Sequence, residues 1–212
     1  MDKYTETFET WNRNAGLYAD KFMELHLYDD TYDAFMASLP IKDARILELG
    51  CGPGNITRYL CAQNPELKIE AIDIAANMIA LAQTFNQAAH FQVMDVRDIR
   101  RHWSKSTFNG IVMGFCLPYL DEPDMLQLLR DAYDLLTPEG VLYFSFVPGD
   151  YDDSGLLTGS SGDRVHFYYY QTADLVTVLK QLSFELINMG SKAYINNDES
   201  IATHTIIIAR KA

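Results

Sequence analysis

Cysteine is scarce in this 212-residue chain: Cys51, Cys61 and Cys116 are the only three. An odd, small number with no CxxC pair excludes a disulfide framework and makes structural zinc a poor fit. No hydrophobic run is long. The longest uncharged apolar stretch, Gly110 to Leu120, falls far short of the roughly 20 residues a membrane span needs. The first residues, MDKYTETFETWNRNAG, carry early acids and no apolar run, so they read as neither a signal nor a transit peptide. Repeats, low-complexity tracts and Pro/Gly-rich linkers are absent too. Basic side chains are few, 17 Lys and Arg against 29 Asp and Glu, for a net charge of −12. Such a surface repels phosphate backbones and anionic lipid, so nucleic acid and membranes are poor partners. The expectation is a soluble, cytoplasmic protein of a reducing compartment, whose oligomeric state the sequence does not specify.

What is present is the composition of a folded core, 48% hydrophobic and 22% charged, arranged in alternation. Short apolar runs at Arg45–Leu49, Lys68–Ile72, Phe91–Met94, Gly110–Phe115 and Val141–Val147 read as buried strands. Between them lie segments of helical spacing: Asn77–Gln83, with Met78, Leu81 and Ala82 on one face, and Asp124–Leu136, with Pro123 in its first turn. Strands separated by helices imply crossover connections and a parallel sheet covered on both faces. Residues 17–39 read as one or two amphipathic helices closed by Pro40. After Val147, the Gly-, Ser- and Asp-rich stretch to Arg164 reads as a long loop. It is followed by the run His166–Tyr170 and a helix over Ala173–Leu182 with Thr172 as N-cap. Phe184–Met189 and Thr203–Ala209 then form an antiparallel hairpin at the sheet edge. A single domain over 1–212 is expected. Residues 1–40 would form a helical cap, 44–147 a ligand-binding core, 148–172 a loop over the site, and 173–212 the last helix and hairpin.

The most informative stretch is Ile46-Leu47-Glu48-Leu49-Gly50-Cys51-Gly52-Pro53-Gly54-Asn55, a strand, a glycine turn and a helix start. Glycines let the backbone turn sharply and a ligand approach closely, and the helix beyond offers free N–H groups. The spacing is GxGxG rather than the GxGxxG of dinucleotide-binding turns, because Asn55 stands at the third glycine position. Glu48, two residues before the first glycine, disfavours an anion and favours a cationic group. Asp73 ends the next strand, where a carboxylate can take both hydroxyls of a ribose. Asp95 follows the third strand and can accept from an exocyclic amine. These groups lie at the carboxyl ends of successive strands, where open α/β sheets bind ligands, and they suggest a nucleoside bearing positive charge.

These residues resemble the class I S-adenosylmethionine-dependent methyltransferases. The resemblance covers roughly Tyr18 to Lys211. It rests on LELGCGPG (47–54), AID (71–73), MDV (94–96), the strand FNGIVMGFCLPYL and LLTPEGVLYFSF (135–146). It implies a Rossmann-like, doubly wound α/β fold: a mostly parallel seven-stranded sheet, an antiparallel C-terminal edge strand and an N-terminal helical cap. It also implies a cofactor, S-adenosyl-L-methionine, with S-adenosyl-L-homocysteine as product. By the same resemblance, Glu48 sits near the methionine amino group, and Gly50, Cys51 and Gly52 pass beneath the cofactor. Asp73 takes the ribose diol, Ile74 packs on adenine, and Asp95 and the Val96 amide hold its edge. Phe115 and Cys116 line the methyl, and Tyr18 closes over the site. Each has a plainer reading: the glycine turn as a tight connection, Asp95 as an N-cap with Asp98 competing, Tyr18 as core, Cys116 as packing.

His166, following the loop, with Tyr168 or Tyr170 is the candidate for acceptor binding or proton removal. His26, His90, His102 and His204 have no partner motif and read as structural or surface residues. No metal-ligand cluster is visible, which disfavours metal-assisted chemistry. Cys116-Leu117-Pro118-Tyr119 keeps only the Pro-Tyr of the Asn/Asp-Pro-Pro-Tyr found in resembling nucleobase amino-methyltransferases. A small-molecule acceptor is therefore the expectation. The alternatives are a macromolecular acceptor such as tRNA or protein, and a non-catalytic module that binds the cofactor or its product.

Overall fold

The computed structural model of the protein describes residues 4–159, 162–196 and 198–212. Three helices lead the chain: α1 (Thr5–Arg13), α2 (Ala15–Phe22) and α3 (Asp29–Ser38). Then strands and helices alternate: β1 (Arg45–Leu49), α4 (Asn55–Gln63), β2 (Lys68–Asp73), α5 (Ala76–Phe85), β3 (His90–Val93), α6 (Ile99–His102), β4 (Phe108–Gly114), α7 (Glu122–Leu135) and β5 (Leu136–Phe146). The chain closes with β6 (Gly155–Thr158), β7 (Arg164–Phe167), α8 (Thr172–Gln181), β8 (Phe184–Ile195) and β9 (Ile201–Lys211).

Seven strands form one sheet in the order β3-β2-β1-β4-β5-β9-β8. The first five are parallel, and β9 runs antiparallel to both β5 and β8. This is the doubly wound order, reversing at β1 beside β4, and the crevice at such a reversal is where open sheets bind ligands. Strand β1 sits centrally because both its faces are apolar: Ile46, Leu47 and Leu49 are fully buried, as a strand covered on both sides by helices requires. Leu47 and Leu49 join one core with Ile111, Met113 and Phe144, while Ile46 joins the other with Val112, Tyr143 and Phe35.

The direction of β9 matters for function. Its first residues reach the edge at which β1, β2, β4 and β5 end, with Thr205 opposite Phe146. A side chain at the start of β9 therefore stands over the same crevice as the ends of the parallel strands.

Three local expectations need correction. The segment expected as a loop from 148 holds a hairpin, β6 paired antiparallel with β7 through Gly155↔Phe167 to Thr158↔Arg164. No polar/apolar alternation marks β6 in the sequence, because the consecutive Leu156 and Leu157, one on each face, are both exposed. Helix α8 begins at Thr172 itself, with Gln171 as N-cap and no side-chain capping bond. Finally, the helical cap starts earlier than the expected helices of 17–39, with α1 over Thr5–Arg13. Its buried positions are Thr7 and Thr10, held by polar contacts to β7: the Thr10 hydroxyl donates to the Arg164 carbonyl at 2.8 Å, and Thr7 Oγ1 accepts from the His166 amide at 2.9 Å. No helix among the described residues is long and apolar enough to cross a membrane.

Candidate active site

The turn after β1 is built on glycine conformations. Gly50, Gly52 and Gly54 have φ of +69°, +54° and +83°, a region L side chains adopt only under strain. Space forbids side chains as well. A Cβ on Gly50 would press to 3.3 Å on Cys116, and one on Gly54 would meet Asn86 Nδ2 at 2.6 Å. That Asn86 amide donates to the carbonyls of Gly54 and Ala82, tying the turn to α5. The turn is thus locked between α5 and the end of β4.

Asp73, at the end of β2, locks it from the other side. One carboxylate oxygen accepts from the Gly52 amide at 2.9 Å and the other from the Ala75 amide at 2.8 Å. Burial nonetheless holds its pKa above the ordinary value, the two amides pulling it back down. Glu48 is more extreme. It is 1% exposed, accepts from the Thr57 hydroxyl, and is pushed up to about 8, chiefly by desolvation and further by the Asp73 charge. No Lys or Arg forms an ion pair with either acid among the described residues.

Two adjoining cavities open at this edge. The first is lined by Tyr18, Gly50, Gly52, Asp73, Ile74, Asp95, Val96, Phe115 and Cys116, together with Thr7, Phe8, Trp11, Met78, Tyr119 and Leu120. The second shares Trp11, Tyr18, Gly50, Phe115 and Tyr119 with it. It adds Glu48 and Cys51 at its floor and Lys21, Phe22, Tyr28, Phe167, Tyr194 and His204 around it. All eleven residues expected around a cofactor therefore line one cavity or the other.

Several are held by specific contacts. Asp95 is both a cap and an ion-pair partner: it accepts from the Arg97 amide at 2.9 Å and pairs with the Arg97 guanidinium at 2.5 Å, which stacks over Tyr4. Asp98, its competitor in the sequence, pairs with Arg101 and lies outside both linings. Phe115 has φ +54°, an uncommon conformation for an aromatic residue, and its amide donates to the Ser145 hydroxyl at 3.0 Å. Backbone strain of this kind is concentrated at functional sites. The Cys116 thiol is 8% exposed and pushed up to about 12 by burial, so it packs as a protonated thiol.

His166 and Tyr168 stack on each other at 4.7 Å, and neither lines either of these two cavities. The cause is strand alternation: along β7 it is Phe167 that enters the second cavity. The histidine in the cavity is His204, passed over because its partner is 176 positions away. Tyr28 hydroxyl and His204 Nδ1 are 2.6 Å apart and buried. Trp11 was missed as well. Its Nε1 is sealed from solvent without a partner among the described residues, and it borders both cavities. A buried donor left open beside a cavity offers itself to a ligand acceptor.

Residues 46–140 match the family model of the methyltransferase domain. The chain is 37% identical over 101 residues to the malonyl-[acyl-carrier protein] O-methyltransferase of Bacillus anthracis, covering 48% of this chain and 36% of that protein. It is 33% identical over 122 residues to the trans-aconitate 2-methyltransferase of Streptomyces avermitilis, covering 56% of this chain and 44% of the other. The match thus spans less than half of these relatives' own length. Among solved structures, the 1,6-didemethyltoxoflavin-N1-methyltransferase of Burkholderia thailandensis, with 1,6-didemethyltoxoflavin and S-adenosylhomocysteine bound, aligns over 100% of this chain and 92% of that one. Its TM-score is 0.72 at 17% identity, a likeness of fold. The matched segment runs from the strand before the glycine turn to the middle of β5, so it takes in strand ends that line both cavities, and over these residues the chain is similar to a methyltransferase domain.

Proposed function

We propose that the protein transfers a methyl group from S-adenosylmethionine to a small-molecule acceptor. The observation that carries this is a pair of acids, the buried Glu48 and the half-buried Asp73, which face ring-lined cavities and form no ion pair with Lys or Arg among the described residues. Burial strongly disfavours an unpaired carboxylate. A ligand bringing an ammonium and a sulfonium supplies the missing positive charge, whereas a dinucleotide pyrophosphate adds more negative charge. The donor set therefore fits S-adenosylmethionine.

In this reading Asp73 accepts from the ribose hydroxyls with the lone pairs its two amide contacts leave free. Ile74 and Val96 enclose adenine, and Asp95 takes the exocyclic amine. Glu48 holds the methionine ammonium beside Gly50, Cys51 and Gly52. Tyr18 covers the ligand, and Phe115 and Cys116 wall the junction of the two cavities. When bound, S-adenosylmethionine supplies an activated methyl group on a cationic sulfur. The protein's own work is then to align the acceptor, exclude water and keep charge in place. The net charge of −12 supports a small acceptor over a polyanionic one.

Calorimetry tests the role of Glu48. Glu48→Gln should weaken S-adenosylmethionine binding at least about tenfold, the value of one lost charge-assisted hydrogen bond. It should leave 5′-methylthioadenosine, which lacks the amino acid portion, within about twofold. Equal losses for both ligands, or none for either, would contradict the assignment.

A further inference from the structure

The second cavity has a composition of its own. Flat side chains from five regions of the chain meet there: Phe22 from α2, Tyr28 from the start of α3, Phe115 after β4, Tyr119 beyond it, Tyr194 from β8 and His204 from β9. Their arrangement is ordered. Tyr194 stacks on His204 with centroids 4.9 Å apart and planes 12° apart, and Phe115 meets the same imidazole edge-on at 4.7 Å. Tyr28 and His204 are nearly coplanar, at 11° and 6.1 Å, the geometry of two rings joined end to end by the hydrogen bond between the hydroxyl and Nδ1.

This arrangement fixes the imidazole. Stacking sets its plane, and Tyr28 sets its rotation by occupying Nδ1. Nε2 has no hydrogen-bond partner among the described residues and is not sealed from solvent, on a ring that lines the cavity. Burial also lowers the His204 pKa to about 4, so the ring is neutral at physiological pH. A neutral imidazole has one donor and one acceptor nitrogen. The 2.6 Å contact fits either direction; in the tautomer whose Nδ1–H donates to the Tyr28 oxygen, the one assigned to His204 below, Nε2 carries a lone pair.

We propose that the part of this second cavity ringed by Tyr28, Phe115, Tyr194 and His204, beside the part lined by Glu48 and Cys51 that receives the cofactor's methionine end, is the acceptor site for a planar aromatic or heteroaromatic molecule carrying an O–H or ring N–H, and that this group donates to Nε2 of His204. The inference rests on the methyltransferase reading above and adds to it the class of the acceptor. Ring walls reward a flat, apolar body through stacking. The open Nε2 rewards a single donor at one edge. The cavity meets the cofactor-side cavity at Tyr18, Gly50 and Phe115, so the acceptor's reactive edge faces the junction where the methyl group is expected. During transfer the acceptor's O–H or N–H bond breaks with its electron pair left on the acceptor. An N–H bond forms at Nε2, Tyr28 accepts from Nδ1–H of the resulting imidazolium, and the proton passes to water when the product leaves. A base with so low a pKa suffices because the acceptor's proton becomes strongly acidic only as its lone pair is committed to the new bond.

Paired probes test this without any assay of turnover. On protein saturated with S-adenosylhomocysteine, 4-cyanophenol and 4-methylbenzonitrile have the same flat shape and differ only in the donor. The wild type should bind both and prefer the phenol about fivefold, the size of one neutral hydrogen bond. His204→Phe keeps a ring in the stack and should erase the preference, with S-adenosylhomocysteine affinity held within about twofold. Tyr28→Phe, should the first variant fold poorly, removes only the anchor and should cut the preference to about twofold. Failure of both probes to bind the loaded wild type, or an unchanged preference in His204→Phe, would overturn the proposal. Failure of S-adenosylhomocysteine itself to bind would instead overturn the methyltransferase reading beneath it.

Discussion

Glu48→Gln should make the ligand-free protein more stable than wild type at alkaline pH and nearly equal to it in mild acid. The Glu48 carboxyl titrates near 8 in the folded protein because burial penalises its charged form. In an unfolded chain a glutamate titrates near 4.3. Below that value both states are protonated and the group contributes no pH dependence. Between the two values the unfolded chain gives up the proton and the folded one keeps it, so stability falls as pH rises, by about 1.4 kcal/mol per pH unit. From pH 5 to pH 8 the wild type should therefore lose about 3.5 kcal/mol relative to the variant. Glutamine keeps an oxygen for the Thr57 hydroxyl and removes only the titration. Asp73, raised in the same direction, is present in both proteins and cancels from the comparison. Urea unfolding at the two pH values measures the difference, and parallel pH dependence of the two proteins would show that Glu48 is ionised in the free protein.

Asp73→Ala should weaken S-adenosylmethionine binding by one to two orders of magnitude, about 1.5–3 kcal/mol for each charge-assisted hydrogen bond lost. The effect is compound. The carboxylate meets the ribose in this reading, and it also receives the amides of Gly52 and Ala75, at 2.9 and 2.8 Å. Without it the glycine turn loses the contact joining it to the end of β2. Asp73→Asn separates the two roles, since the amide oxygen still accepts one backbone bond while the charge is gone. Calorimetry should place Asn between wild type and Ala. Wild-type affinity in the alanine variant would remove Asp73 from the site.

How much of this was legible in the sequence follows from what each signal depends on. The five parallel strands and the glycine turn were readable because β1 to β5 are short apolar runs and because Gly50, Gly52 and Gly54 carry a local conformational demand that spacing reveals. The residues that line the first cavity at the ends of β1 to β4 were readable for the same reason: Gly50, Asp73, Asp95 and Phe115 each stand at a fixed step from a strand end. The histidine of the second cavity was not. His204 and Tyr28 meet through the reversal of β9, which brings its first residues to the crevice, and nothing local to THTIIIAR records that partner. His166 illustrates the converse. Position after a loop suggested a role, but strand alternation gives the cavity to Phe167 instead. The seat of helix α1 on β7 was not readable, because it runs through Thr7 and Thr10, polar residues that hydrogen-bond to a strand 159 and 154 positions away.

The central claim is that the glycine turn and its acids hold an adenosyl ligand with positive charge. The most direct measurement is thermal unfolding of the protein alone and with S-adenosylmethionine, S-adenosylhomocysteine or NAD. Binding to the native state alone raises the midpoint by mass action, about 2.7 kcal/mol of stabilisation at a ligand concentration a hundred times Kd. The first two ligands should raise it and NAD should not. Stabilisation by NAD, or no response to either S-adenosyl compound, would contradict the account.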